Sequence, residues 1–302
     1  MTSNKEKVIF ITDKYLKENS TLEIPEGVKN FDFSFNQYTN IKKIIMPSTL
    51  ATLTYSRYFP TSINEIEVNK NNKKFYVEDN MLIDNEEKAL IACFSKDNII
   101  NVKDGIVSIK NAAFKFAINV QEIYLPESII YIADSIINNN NTKLTKISIG
   151  SKTSYINPSF TVITTLKFEL DIDSNNPYYT SVDGVLYTKN KEKLVRVYKA
   201  ATNDIQIDKN VKIIGDNAFH AQIYITEYKI PEGIETIGNS FANCPKLKKI
   251  EIPSTVKSIA ANCFTEATSN LEEIIVNKKE NEIPNEPWGA VKGLKVVKWV
   301  GK

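Results

Sequence analysis

The stretch PKLKKIEIPSTVKSIAANCF, residues 245–264, contains the pattern that decides the fold. Its first half, KLKKIEI, ends in alternating apolar and polar residues, which is typical of a short strand with one buried face. Pro253 then ends the strand, because proline cannot donate a hydrogen bond to a neighbouring strand. The second half carries Val256, Ile259 and Phe264, with the aromatic residue placed to fill the interior. The stretch therefore predicts a strand, a turn and a return path in place of a helix.

The same pattern recurs along the chain at a period of roughly 23 residues, which lies in the range of solenoid repeats. Because each coil would contact only its neighbours, the apolar core must form between repeats. The pattern predicts a stacked interior column of Phe114, Phe219, Phe241 and Phe264. We count about eight copies, at 24–46, 46–68, 102–125, 125–149, 149–172, 207–230, 230–252 and 252–276. The copies at 46–68 and 149–172 lack the A-F-x-x-C element.

A second, longer repeat lies over the first. Residues 66–91, IEVNKNNKKFYVEDNMLIDNEEKALI, align without a gap to residues 170–195, LDIDSNNPYYTSVDGVLYTKNKEKLV. The match continues with a one-residue shift through Phe114 and Phe219. Each half of the chain therefore carries an insertion in which two apolar pieces flank a polar turn, as in a β-hairpin. We expect each hairpin to protrude from the stack or to pair with it.

The repeated pattern I-P-x-x-V-x-x-I-x-x-x-A-F-x-x-C-x-x-L-x-x-I-x-I, best seen over 207–276, resembles the BspA-like class of leucine-rich repeats. The resemblance covers about 24–276 apart from the insertions, and the ending EIPNEPWGAVKGLKVVKWVGK is similar to the closing segment of such arrays, with Trp288 and Trp299 as cap residues. The resemblance implies a right-handed curved solenoid with a parallel sheet on one face. It also implies that the protein is, like typical members of this class, a bacterial or protist surface protein that binds host matrix, other cells or other proteins.

The predicted fold class is thus a repeat solenoid, a leucine-rich-repeat array of about eight 23-residue coils with two inserted β-hairpins and a C-terminal cap. We predict an N-terminal segment or cap at 1–23 and the solenoid at 24–276. The inserted hairpins should lie at about 69–101 and 173–204, and the C-terminal cap at 277–302.

The charge balance makes nucleic acid and anionic lipid poor candidates as partners. The 302 residues carry 38 basic and 36 acidic side chains, a net charge of +2, so no strong overall field draws the chain to a polyanion. The N-terminal sequence has only four consecutive apolar residues, Val8 to Ile11, too few for the core of a signal peptide. No apolar run approaches the roughly 18 residues that a membrane span needs. We expect either a cytoplasmic protein or a chain from which an export signal was removed.

No catalytic motif is present in the sequence: phosphate-binding, dinucleotide-binding, serine-hydrolase and zinc-protease signatures are all absent. The single histidine, His220, follows the core position Phe219, and a structural role outweighs that of a catalytic base, which needs an oriented partner. Cys244 and Cys263 occupy small-residue positions of the repeat, where cysteine acts as a small apolar residue, and Cys93 lies in the first insertion. We therefore predict no catalytic residue, no cofactor, no metal site and no enzyme activity.

The asparagine-rich segments admit two interpretations. The run Asn138 to Asn141, and the group Asn69, Asn71 and Asn72, could make calcium or glycan contacts. Asparagine also favours turns and tolerates left-handed backbone, so turn formation is the stronger interpretation.

The exposed face of the L-x-x-I-x-I strands is the remaining candidate site. Alternate residues of these strands should form two rows of side chains, spaced by about 4.8 Å from one coil to the next. Two interpretations stay open: charge pairing along the rows, which is the simpler account, and a mildly acidic partner-binding strip. The candidate strip comprises Glu65, Glu67, Glu122, Tyr124, Glu169, Asp171, Glu227, Lys249 and Glu251.

The function that we predict from these observations is a non-enzymatic, adhesin-like scaffold, secreted or at the cell surface. It would engage a protein or extracellular-matrix partner through the solenoid face, which offers a long rigid surface. The alternative is an intracellular protein-protein interaction module.

Overall fold

The computed structural model describes residues 20–32, 40–53, 59–161, 168–265, 270–290 and 294–301. The regular secondary structure of these residues consists only of β-strands. The chain divides into two compact units. The first unit comprises Met1–Leu144 and Tyr155–Phe160, and the second comprises Thr145–Ser154 and Thr161–Lys302.

Most strands are two to four residues long, as the short repeat predicts. The first unit contains β1 (Thr21–Glu23), β2 (Asn30–Phe31), β3 (Lys43–Met46), β4 (Thr52–Leu53), β5 (Glu65–Val68), β6 (Phe75–Glu78), β7 (Met81–Asp84), β8 (Ala89–Cys93), β9 (Ile99–Asn101), β10 (Ser108–Ile109), β11 (Glu122–Tyr124), β12 (Tyr131–Ile132) and β14 (Tyr155–Ile156). The second unit contains β13 (Lys146–Ile149), β15 (Glu169–Ile172), β16 (Tyr179–Val182), β17 (Val185–Thr188), β18 (Lys193–Val197), β19 (Ile213–Ile214), β20 (Glu227–Lys229), β21 (Thr236–Ile237), β22 (Lys249–Ile252), β23 (Ser258–Ile259), β24 (Glu273–Val276) and β25 (Val296–Trp299).

Two kinds of parallel ladder follow from the repeat. The L-x-x-I-x-I segments form the front strands, which pair in the orders β1-β3-β5 and β9-β11 in the first unit, and β13-β15 and β20-β22-β24-β25 in the second. The V-x-x-I segments form the return strands, which pair in the orders β2-β4 and β8-β10-β12-β14 in the first unit and β18-β19-β21-β23 in the second. Most coils thus add one strand to each ladder, and the predicted solenoid class is confirmed.

The number of turns differs from the prediction. The described residues make about eleven turns instead of about eight. The strands β1 and β25 lie outside 24–276 and still pair with β3 and β24, so the segments predicted as caps each add a front strand. The insertions also contribute, because β8 and β18 pair with the return strands β10 and β19. The division into solenoid and caps stays a prediction.

Each insertion is a three-stranded antiparallel meander. Strands β7 and β8 pair antiparallel, as do β17 and β18, which confirms the predicted hairpins. A third strand, β6 or β16, precedes each hairpin and pairs antiparallel with its first strand. All residues of β7 and β8 are buried, so this hairpin of the first insertion is part of the core.

Aromatic side chains fill the interior of the coils. In the second unit Phe219, Phe241 and Phe264 are fully buried. Their ring centroids lie 4.8 Å apart between Phe219 and Phe241 and 5.7 Å apart between Phe241 and Phe264, with stacked geometry. The predicted column is confirmed for these three residues, and Phe114 is fully buried within the first unit.

The turns after the front strands interlock from coil to coil. Gly27 and Gly233 have φ angles of 92° and 100°, which L-residues with side chains rarely adopt. The Gly27 N–H donates to Oγ1 of Thr49 at 2.9 Å, and this hydroxyl donates to the Val28 carbonyl at 3.0 Å. The Gly233 N–H donates to Oγ1 of Thr255 in the same way, at 3.0 Å. A Pro-Glu-Gly turn is therefore held by the Pro-Ser-Thr turn of the following coil.

The aromatic column gives the first testable prediction. Phe219→Ala should lower the free energy of unfolding by about 3 to 5 kcal/mol, because it removes a fully buried ring between two neighbours. Lys229→Ala should change it by no more than about 0.5 kcal/mol, since its side chain is exposed. Urea unfolding followed by circular dichroism measures both, and similar losses in the two variants would contradict the assignment of inward and outward positions.

Candidate partner-binding surface

All nine residues of the predicted strip lie on front strands. Glu65 and Glu67 belong to β5 and the pair Glu122 and Tyr124 to β11, both in the first unit. The other five lie in the second unit, on β15, β20 and β22. Between them, alternate positions of the same strands point inward, and Ile66, Ile123, Leu170, Tyr228 and Ile250 are buried. The predicted alternation of exposed and buried positions is therefore present on each of these strands.

In the first unit the strip charges are paired within the protein. The Lys43 ammonium lies 2.8 Å from the Glu65 carboxylate and also contacts Glu67, one coil along the ladder. Hydrogen bonding to Glu65 and then to Glu67 raises the pKa of Lys43 above its ordinary value. On β11 the Tyr124 hydroxyl donates to the Glu122 carboxylate. These contacts favour charge pairing as the main role of this part of the strip.

The second unit shows the same ladder of charges. Lys146 contacts Asp171 at 2.8 Å, and Lys229 contacts Glu251 at 2.8 Å. The hydrogen bond from Lys229 lowers the pKa of Glu251, with a second contribution from the Asn277 amide. Exposed pairs of this kind contribute only about 0.2 to 1 kcal/mol each, so they set register and neutralise charge more than they stabilise the fold.

Two carboxylates of the strip differ from the rest. The side chains of Glu169 and Glu227 are exposed, and neither has a hydrogen bond or ion pair to another described residue. Glu227 lies in register with Lys249, whose ammonium instead contacts Glu273 at 3.5 Å. These two carboxylates are the strip residues with free capacity for an external cation.

The candidate nucleophiles and the histidine are occupied or buried. Burial raises the pKa of the Cys93 thiol to about 11 and those of Cys244 and Cys263 to about 12. All three thiols are free and buried. The half-buried His220 ring bonds through Nε2 to the Asn243 amide at 2.9 Å. None of these side chains is set up as an activated nucleophile or base.

Sequence reasoning missed a polar position inside the coil. Asn141, Gln222 and Cys244 each lie three residues before the first buried residue of a front-strand segment, and each is fully buried. The Asn141 amide donates to the carbonyls of Phe114 at 2.9 Å and Ala117 at 3.0 Å in the preceding coil. Gln222 donates to Val197 at 2.8 Å and the Cys244 thiol to Phe219 at 3.2 Å. The recurrence of Asn, Gln and Cys at one repeat position was the available signal.

Arg196 is a second buried polar group that the repeat pattern did not reveal. Its guanidinium is fully buried and donates to the Asn217 carbonyl at 2.5 Å and the Thr161 carbonyl at 3.2 Å. Burial lowers the pKa of Arg196 to about 10, so the group remains charged at neutral pH. Its hydrogen bonds link two backbone carbonyls that are far apart in sequence within the second unit.

Among the described residues, no group of three or more His, Cys, Asp or Glu side chains is arranged to hold a metal ion. The same part of the chain has no helix that is long and apolar enough to cross a membrane. The Asn138 to Asn141 run acts as a turn, in which the Asn138 N–H donates to the Asn141 side chain at 2.9 Å.

The buried amide gives a matched pair of variants. Asn141→Ala should destabilise the protein by about 1 to 3 kcal/mol, because two buried hydrogen bonds from the amide to backbone carbonyls are lost. Asn140→Ala, one residue earlier and exposed, should cost no more than about 0.5 kcal/mol. Thermal and urea unfolding of the two variants separate a structural amide from a surface one, and equal losses would contradict the structural role of Asn141.

The thiols give a prediction about reactivity and pH. At pH 8 the folded protein should resist alkylation by iodoacetamide, since thiols with a pKa of about 11 to 12 are almost entirely protonated and these are buried. In urea all three cysteines should react. Mass spectrometry counts the adducts. Because the folded pKa values lie above the unfolded ones, the associated stability is present below about pH 8.5 and is lost as pH rises toward 11 to 12. Rapid labelling of any cysteine in the native state would contradict this.

The comparisons with known proteins agree with the fold. The family described as BspA type leucine rich repeat region matches in six copies, over residues 10–81, 86–181 and 197–297. The chain is similar to the solved structure of a leucine rich cell surface protein from Faecalibacterium prausnitzii A2-165, with 18% identity, a TM-score of 0.51 and coverage of 94% of this chain and 88% of that one. No curated protein matches the sequence.

Two further solved structures are similar at the same level of identity. One is the pneumococcal vaccine antigen PcpA, with 18% identity, a TM-score of 0.48 and coverage of 86% of this chain and 75% of that one. The other is a leucine-rich repeat protein from Eubacterium ventriosum, with 18% identity, a TM-score of 0.47 and coverage of 95% and 74%. At these identities the likeness concerns the fold.

The family match spans most of the chain, and its three ranges contain most of the front and return strands. The chain therefore belongs to the BspA-type leucine-rich repeat family.

Proposed function

We propose that this protein is a non-enzymatic, adhesin-like scaffold that binds a protein or extracellular-matrix partner through the exposed face of its front strands. The observation that carries the proposal is the regular presentation of side chains on a rigid ladder. In the second unit β20, β22, β24 and β25 are held in register by backbone hydrogen bonds, so their outward residues form fixed rows. A surface of this kind can bind a large partner without rearrangement.

The charges on the strip indicate the kind of partner that would bind. Most strip charges are already paired with neighbouring coils, and paired surface charges gain little from a new partner. The free carboxylates of Glu169 and Glu227 would gain most, and they would be met by lysine or arginine. The proposed partner surface is therefore basic where it faces β15 and β20.

The proposed location is the cell surface, or the medium after secretion. It is supported by family membership and by the description of a similar solved structure as a cell surface protein. The non-enzymatic part is supported by the buried, protonated thiols and by the half-buried, hydrogen-bonded histidine.

Charge reversal tests the binding face. The double variant Glu169→Lys and Glu227→Lys should bind at least about tenfold more weakly to any matrix protein that the wild type captures from a purified panel, because two attractive contacts become repulsive. The matched control is Glu192→Lys, an exposed carboxylate that precedes the return-side strand β18. Surface plasmon resonance measures both. Unchanged affinity in the double variant, or an equal loss in the control, would reject the strip.

Location is tested separately. Antibodies against the chain should label intact cells that express the native gene. Labelling that appears only after permeabilisation would reject surface display and favour the intracellular interaction module.

A further inference from the structure

The second unit contains a pocket of about 370 Å³ between the β16–β17 turn and the loop over residues 199–208. Val182, Asp183, Lys199, Asp204 and Ile205 are among the residues that line it. The volume is at the lower end of the range for small-molecule sites, which is about 300 to 1,000 Å³. The pocket is therefore large enough for one small ring-shaped ligand.

Comparison with the first unit shows that the repeat does not require this pocket. Under the internal alignment, 204–206 corresponds to strand β9 (Ile99–Asn101), which pairs with β11 as part of the front ladder. Residues 204–206 form no strand and line the pocket instead. The same chain position thus extends the sheet in one copy and leaves it in the other.

An ion pair has also been lost in the second copy. In the first unit Lys103 contacts Glu78. The aligned residues are Asp208 and Val182, which cannot form that pair. Asp208 contacts Lys191 at 2.8 Å instead. Val182 and Asp208, at which the pair is lost, both line the pocket.

The pocket offers polar groups of both signs that have no side-chain partner among the described residues. The carboxylates of Asp183 and Asp204 and the ammonium of Lys199 make no side-chain hydrogen bond or ion pair to any described residue. The two carboxylates can accept hydrogen bonds from a ligand, and the ammonium can donate hydrogen bonds to it. Val182, Ile205 and other apolar residues supply the remaining wall.

Tyr187 adds a buried donor. Its side chain is 3% exposed, and its hydroxyl oxygen accepts the Asp208 N–H at 3.3 Å. The hydroxyl hydrogen has no acceptor among the described residues, although the residue lines the pocket. Burial raises the pKa of Tyr187, so the hydroxyl is protonated at neutral pH and can donate. A buried hydroxyl without an acceptor is expected where a ligand or water completes its hydrogen bonding.

We propose that this pocket binds the terminal sugar ring of a glycan. A neutral polyol can donate to Asp183 and Asp204, accept from Lys199 and Tyr187, and place its C–H face against the apolar wall. The Lys199 ammonium would repel a simple cation, and the two carboxylates would repel a simple anion. A neutral ligand with many hydroxyls can form hydrogen bonds with both kinds of group. This site is separate from the strip on the front strands.

The test uses the full chain on an array of immobilised glycans, followed by competition with soluble methyl glycosides. The wild type should bind glycans that share one terminal sugar, and the methyl glycoside of that sugar should compete. The double variant Asp183→Asn and Asp204→Asn should bind at least about tenfold more weakly, because two charge-assisted hydrogen bonds are weakened. Thr202→Trp, which places a bulky side chain in the lining, should also abolish binding.

Three controls decide the outcome. Asp79→Asn, at the position aligned with Asp183 in the first unit, should leave glycan binding unchanged. The strip variant with Glu169→Lys and Glu227→Lys should also leave it unchanged, so this proposal and the proposed function can fail independently. Wild-type melting temperatures in the pocket variants show that the fold is kept. Absence of glycan binding by the wild type, wild-type binding by both pocket variants, or competition by lysine-rich peptides in place of glycosides would overturn the proposal.

Discussion

Every coil of this protein depends on its neighbours, because a segment of about 23 residues cannot bury its own apolar side chains. In the second unit Tyr228, Ile250 and Ile274 lie in register on successive front strands, and all three are buried. The backbone follows the same rule, since neighbouring front strands exchange hydrogen bonds with each other in both directions. The interior is therefore highly constrained, and variation is confined to outward positions, turns and insertions.

The interior constraint explains how much of the fold could be predicted from the sequence. The spacing of Leu247, Ile250 and Phe264 was sufficient to predict a strand, a return path and a plugging aromatic, and the stacked rings are in place. The packing of the insertions could not be predicted, because two apolar segments around a polar turn form a hairpin whether it protrudes from the stack or pairs with it. Pairing of β8 with β10 depends on long-range register, which local pattern does not encode.

The position of the candidate strip could be predicted from the sequence, but not which of its charged side chains are paired within the protein. Alternation along each front strand placed Glu65, Glu169 and Glu251 on the surface. Which carboxylate meets a lysine depends on side-chain conformation across the ladder, and so only Glu169 and Glu227 emerged as unpaired among the described strip residues. The pocket of the second unit could not be predicted for a related reason. Strand β9 and the ion pair between Lys103 and Glu78 have no equivalent at the aligned positions of the second unit, and residues at those positions line the pocket.

The interlocked turns have a consequence for how such an array can grow. A glycine turn donates its N–H to a hydroxyl in the coil that follows, as Gly27 does to Thr49, Gly105 to Ser128 and Gly233 to Thr255. The donor and acceptor turns differ in sequence, so two consecutive coils form a matched couple. Duplication of a glycine-turn coil alone, or deletion of the hydroxyl-bearing coil after it, would leave a glycine N–H without this acceptor. A pair of coils can be copied with every glycine turn still followed by its hydroxyl, so we expect glycine-turn coils to be gained together with the coil that follows them.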